Sequence, residues 1–484
     1  MGLAVQRLSI GVALAICAAL FLIFKTHYHA VIMLFERAPE MYDMGWFAYL
    51  FGRGDLMLMN PPLIDDTSYH GYHLAPLIVL WSAVASGLLG LGGVQSFALF
   101  HFAAGVLAFT AFLIVGRGRW LALLIGAAFV AGNRQMFQAM EYPHFEIMFV
   151  GLCGVMFASL LRDRIGLAIL AAVLLVLMRE DGGFYGAYVV LTCMACERNW
   201  RRKDHIAVLA ACMIAAVLAF WVQGAFFHKP DLFTRNFSGD HWSHLSLYLV
   251  ADRIWAMFSS VRTGGLLIWA VLVTEIVRRR FTGMTVMSIW APILLLSPLI
   301  GVHLLAVLDP VGRFWLYYAL PFATMTLLIL LFAVHRIDQM TRKPMEIAAV
   351  IALVVMTSIL PGEWVGAPGS IARWSKHVFT WPQGQVALYQ ATIPQDTDEG
   401  FAQTCLSHGA MAFSESAYAK AQVYPIMGVD ADARYAISPE CRDFYVFETE
   451  KPAFDGVLVR EGFQLQSSVG KLHTFRKLTA ASGG

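Results

Sequence analysis

Residues 161–203 read LRDRIGLAILAAVLLVLMREDGGFYGAYVVLTCMACERNWRRK. Two uncharged apolar runs, 165–178 and 183–196, are separated by Arg179-Glu180-Asp181-Gly182 and bounded by Arg162/Arg164 on one side and Arg198, Arg201, Arg202 and Lys203 on the other. Two helices with a tight polar turn satisfy this pattern, and runs this apolar are expected in lipid. Each is short for a hydrocarbon core of about 30 Å, a mismatch tolerated where helices pack against protein.

The same texture extends along the chain. Of 484 residues 58% are hydrophobic and 14% charged, against about 25% charged in soluble domains, so a soluble fold is excluded. The formal charge of +2 and the scatter of Lys and Arg into short clusters give no nucleic-acid surface. Further apolar stretches lie near 8–24, 74–92, 95–115, 119–135, 145–161, 205–226, 263–278, 284–308, 314–334 and 345–361. The first follows a short basic start with no small-x-small cleavage site before Lys25, and reads as a retained helix.

Short loops rich in Lys and Arg stay cytoplasmic. Arg117/Arg119, Arg162/Arg164, Arg198–Lys203, Arg278–Arg280 and Arg336/Arg342/Lys343 fall at every second connection. With Arg7 also inside, one early stretch does not cross. That stretch is 74–92, with Pro76, Ser82, Ser86 and glycines 87, 90, 92 and 93, which reads as an interfacial helix on the outer leaflet. The expected architecture is an all-α polytopic membrane protein with about eleven transmembrane helices over residues 1–361. It has outer loops at 25–94, 136–144, 179–182, 227–262 and 309–313. Residues 362–484 then form a small extracytoplasmic α/β domain, because the tail alternates apolar runs (Met411–Phe413, Phe444–Phe447, Gly456–Val459, Leu472–Phe475) with turns and a helix-like stretch near Ser414–Gln422. The N-terminus is cytoplasmic and the tail domain periplasmic or extracellular. Five cysteines lie in apolar runs and read as packing residues, Cys193 and Cys196 included. Cys405 and Cys441, in the exported tail, are expected to pair.

Four polar motifs fall at outer helix ends: Tyr42-Asp43-Met44-Gly45, His70-Gly71-Tyr72-His73, Glu141-Tyr142-Pro143-His144-Phe145-Glu146 and Arg179-Glu180-Asp181-Gly182. Ionisable groups at such positions are costly unless they meet water, a partner or a ligand. A carboxylate deprotonates an acceptor hydroxyl, arginine grips phosphate oxygens, and carboxylates with histidine hold a divalent cation. The set suits a transferase acting on lipid-phosphate-linked substrates. Asp309 with Arg313, and His228, Lys229 and Asp231, are further groups on that face.

The motifs also resemble a family of bacterial multi-span proteins, domain of unknown function 2079, grouped by fold with the GT-C glycosyltransferases. That family carries Tyr-Asp-Leu-Gly-Ile-Phe-Asp-Gln, His-Phe-Ser-Pro, Phe-Asp-Phe-His-Pro-Glu and Lys-Glu-Asp. The counterparts here are Tyr42–Tyr49, His73-Leu74-Ala75-Pro76, Tyr142–Glu146 and Arg179-Glu180-Asp181, with a later Tyr317-Tyr318-Ala319-Leu320-Pro321 similar to an aromatic-Tyr-x-x-Pro segment. The resemblance spans roughly residues 8–475. It implies a GT-C-like fold with outer juxtamembrane helices, in the bacterial inner membrane. It also implies transfer of a sugar from a polyprenyl-phosphate donor to a glycan, lipid or protein acceptor, with Asp43 as catalytic base. Tyr42, His73, His144, Glu146, Arg179, Glu180, Asp181, Arg313 and Tyr318 are expected to bind substrate. Asp43, His144 and Glu146 are the candidates for a Mg or Mn ion. Ala48 and Tyr142 stand where the family has carboxylates. Two other readings are a transporter or flippase for a lipid-linked glycan and a non-catalytic envelope assembly protein. Transporters tend to show internal repeats and broken helices at mid-membrane, and neither is evident here.

Overall fold

The structure is a computed structural model and describes residues 10–37, 44–60, 68–117, 119–133, 135–137, 142–227, 242–259, 286–314, 316–338, 370–394, 403–413, 422–424, 437 and 439–478. The spans expected at 263–278 and 345–361, the motif residues Tyr42, Asp43 and Glu141, the loop residues His228, Lys229 and Asp231, and the helix-like stretch 414–421 lie outside the described residues. The fold is mostly helical, with a small sheet near the C-terminus. Among the described residues three helices are long and apolar enough to cross a membrane: Gly11–Arg37, Gly93–Gly116 and Lys203–Phe226. Shorter apolar helices include Ala122–Gly132, Ile147–Leu161, Ile165–Met178, Trp290–Leu304 and Leu320–Arg336. The chain divides into two compact units, each built from two separate stretches.

The first unit comprises Met1–Tyr28 and His101–Thr380. Its centre is the Ile147–Leu161 helix, every residue of which is buried, and which packs against the Ile165–Met178, Gly182–Glu197 and Leu320–Asp338 helices. The peripheral Lys203–Phe226 helix instead exposes Ile214, Val217, Leu218 and Trp221. The first helix does not stop at Phe24. It continues through a wider π-type turn, Phe24–His29, where polar side chains find backbone partners: Lys25 Nζ donates to Thr380 O at 2.7 Å, and His27 Nε2 lies 3.1 Å from Val130 O. Those partners let the helical path pass the end of the apolar run, at a lesion typical of functional or strained positions.

The antiparallel helices sort the charges by end. Arg162 donates to Val115 O, Arg202 pairs with Asp163 and Arg336 with Glu197 at 3.5 Å, so the described basic connections at Arg162, Arg202 and Arg336 gather at one end. Glu146, Arg179 and Asp181 begin or end the same helices at the other.

The second unit joins His29–Phe100 to Trp381–Gly484. Most of the loop expected at 25–94 thus falls in the same unit as the tail. The Glu36 carboxylate accepts from Gln383 N at 2.9 Å and Gln385 N at 3.0 Å, Gln95 bonds Gln390, and the short His408–Met411 helix packs on the Met44–Arg53 helix. The stretch read as interfacial is a short helix from Pro76 to Leu88, held by Ser82 and Ser86 donating to Phe51 O. Its opposite face exposes Leu80, Val84 and Leu88.

The tail sheet has five strands, β1 Thr404–Ser407, β2 Gln422–Tyr424, β3 Asp443–Phe447, β4 Phe463–Val469 and β5 Leu472–Lys477, in the order β2-β1-β3-β5-β4. The three strands β2, β1 and β3 run parallel, while β5 is antiparallel to both β3 and β4. The Lys451–Arg460 helix closes the core with Phe454, Val457 and Leu458, so the run Gly456–Val459 is helical. Cys405 and Cys441 are disulfide-bonded within this core. Cys193 and Cys196 are buried in one helix and are not disulfide-bonded.

Candidate functional site

The turn between the Ile165–Met178 and Gly182–Glu197 helices is dictated by close packing. A Cβ at Gly182 would stand 1.7 Å from Leu175 O, so only glycine lets the second helix begin there. Gly182 N donates to Arg179 O at 2.8 Å, and the intervening residues Arg179, Glu180 and Asp181 are presented together.

Arg179 is the hub. Its Nε donates to Asp181 Oδ1 at 2.6 Å and its Nη2 to Asp181 Oδ2, a bidentate fork, while Nη1 pairs with Glu146 Oε1. The guanidinium also lies over the Phe149 ring at 5.3 Å, and Phe149 stacks on Tyr185 at 4.6 Å. Burial works against the Arg179 charge, but Asp181 and then Glu180 more than offset it and hold the group protonated beyond its ordinary range. On the far side of Glu146, Oε2 stands 3.9 Å from His144 Nδ1, and Nδ1 accepts from Glu146 N at 3.4 Å. Thus the third and fourth motifs meet in one cluster.

Two more predicted residues, Tyr318 and Arg313, have their own partners. His303 stacks on Phe314 at 5.4 Å and meets Tyr318 edge-on at 5.8 Å, and it lies within reach of the Arg179 charge. Arg313, next to Phe314, pairs with Asp252 at 2.7 Å.

His73 belongs to the second unit, where Tyr69 meets it edge-on at 6.0 Å. Trp46 meets Tyr69 and Tyr72 at near-right angles and donates to Asn60 Oδ1 at 3.2 Å. His70 holds the turn: Nδ1 accepts from Ala75 N at 3.2 Å and Nε2 faces Leu56 O at 3.3 Å, the pattern of a neutral ring. Burial lowers its pKa.

No protein-family model matches the chain, and no curated protein matches it. The site is therefore read on its own chemistry. Of the cation candidates, Asp43 lies outside the described residues, Arg179 pairs with Glu146 Oε1 while Oε2 faces His144, and among the described residues no three potential ligands converge. Phe149, Tyr185 and His303 are site residues the sequence reading missed. Phe149 was within reach, since it lies three positions after Glu146 on one helix face; His303 sits inside an apolar run with nothing local to mark it.

Proposed function

We propose that this protein is a GT-C-type glycosyltransferase of the bacterial inner membrane, with about eleven spans, transferring a sugar from a polyprenyl-phosphate donor on the extracytoplasmic face. The observation that carries the reading is the Glu146–Arg179–Asp181 cluster, placed at helix ends opposite the basic connections. A guanidinium has five N–H donors, and the two carboxylates engage Nε, Nη1 and Nη2 once each, so its remaining N–H bonds suit a phosphate oxygen.

In this reading Asp43 takes the proton of the acceptor hydroxyl as its oxygen bonds to the anomeric carbon. The bond from that carbon to the phosphate oxygen breaks, and its electron pair leaves with the polyprenyl phosphate. Arg179 offsets the charge that develops there, while Glu146, Asp181 and Glu180 orient it. By the resemblance, Tyr42, His73, His144, Tyr318 and Arg313 are further substrate-binding residues. The resemblance of the four motifs to the 2079 family supports the same assignment.

The test is sugar transfer from lipid-linked donors in membranes carrying Asp43→Asn. Loss of transfer with unchanged protein level supports the assignment, and full activity removes Asp43 as the base.

A further inference from the structure

The Leu247–Ser259 helix, in the segment expected to be an outer loop, has two unlike faces. Leu247, Tyr248, Ala251, Ile254 and Trp255 form one uncharged stripe at the spacing of a helix face, and it is bare: Leu247 is 88% exposed, Tyr248 83% and Trp255 73%. The other face is fixed. Arg253 is 1% exposed, and its Nη1 donates to Leu304 O at 3.0 Å and Ala306 O at 2.5 Å, carbonyls at the C-terminal end of the Val286–Leu304 helix that have no onward helical partner. Gly312 makes room for it, since a Cβ there would stand 2.4 Å from Arg253 Cζ. Asp252 pairs with Arg313. Arg253 is thus turned inward at the end of an apolar helix and Asp252 is paired beside it, so the orientation of the bare stripe is set.

The geometry points to a bilayer-embedded helix: Leu247–Ser259 lies in the outer-leaflet interface, with acyl chains covering Leu247, Ala251, Ile254 and Trp255. The occupant is lipid rather than a protein for two reasons. The stripe is anchored at the mouth of a helix that itself exposes Trp290, Leu294 and Val302. It also carries Tyr and Trp, whose rings are apolar with one polar group and favour the headgroup level. By this account the Asp252–Arg313 pair sits at headgroup depth and holds Arg313 where a lipid-borne phosphate passes. The inference rests on the membrane reading above.

The experiment uses the full chain in phosphatidylethanolamine/phosphatidylglycerol nanodiscs, with Cys17, the exposed free cysteine, replaced by serine. Single spin labels are placed by Trp255→Cys, Ala251→Cys, Ser243→Cys and Val217→Cys. Oxygen collisions should exceed those with the water-soluble nickel reagent severalfold at 251, 255 and 217, with the reverse at 243. Nickel accessibility at 251 and 255 equal to that at 243 overturns the inference, as does shielding from both reagents, which would signal a protein partner. The label at 217 reports on the membrane reading separately. Lipid exposure there with water exposure at 255 sinks the interfacial helix alone, and water exposure at both sinks the two together.

Discussion

Glu146, which opens the Ile147–Leu161 helix, and Arg179, which follows the Ile165–Met178 helix, form an ion pair across the bundle end. The pair is mostly shielded from water, and Arg179 also satisfies Asp181. Removing the cation strands two carboxylates. Arg179→Ala should therefore cost about 3 kcal/mol, read as a lower thermal midpoint in detergent. Arg179→Lys should keep much of that stability yet lose transfer activity, because an ammonium cannot make the fork. If Lys supports full activity, the bidentate geometry has no part in function.

His70 gives a pH dependence with a definite sign. Its folded pKa is lowered by burial, so the unfolded chain binds the proton more readily. The stability it contributes is complete above the unfolded value of about 6.5 and is lost as pH falls from there through the folded value. Thermal stability of the second unit should decline over that interval, and His70→Gln should flatten the decline. An unchanged profile in His70→Gln would assign the acid sensitivity elsewhere.

The Cys405–Cys441 bond closes a sequence separation of 36 residues. Chain-entropy arguments give about 3–4 kcal/mol for a loop of that size. Cys405→Ser with Cys441→Ser should make the tail protease-sensitive at temperatures where the parent resists. The parent should show the same sensitivity after reduction, whereas equal resistance with and without reductant would mean that the core alone holds the tail.

Glu450 is fully buried, and its carboxylate accepts from Gly409 N at 2.9 Å and from the Ser407 hydroxyl. Those donors have no water to replace it. Glu450→Ala should destabilise the tail by about 2–3 kcal/mol, measured by hydrogen exchange at β1. Ser407→Ala removes the hydroxyl that donates to Glu450 and accepts from Ala410 N and Phe447 N but leaves the Gly409 N bond to Glu450 in place, and should cost less.

Much of the bundle was legible because its signals are local. Apolar runs bounded by charge at 145–161, 165–178, 183–196 and 205–226 marked the Ile147–Leu161, Ile165–Met178, Gly182–Glu197 and Lys203–Phe226 helices to within two residues, since a helix satisfies its own backbone polar groups inside an apolar run. The alternation of arginine clusters anticipated that Arg162, Arg202 and Arg336 would share one end. Cys405 and Cys441 were paired by their location in a polar tail. The helical path past Phe24 was not legible, because Lys25 and His27 read as polar while their backbone partners, Thr380 and Val130, are far away in sequence.

The sequence by itself determined which segments are helical and apolar and where Arg179 turns into the next helix. Only the tertiary structure decided that Glu146 and Asp181 share Arg179, that the first outer loop folds with the tail, and that Arg253 turns one face of the Leu247–Ser259 helix inward. It alone also separated the buried Ile147–Leu161 helix from the exposed Lys203–Phe226 helix. Lipid tails are as apolar as a protein interior, so composition cannot tell a helix that faces neighbours from one that faces the bilayer; only the packing of distant segments can.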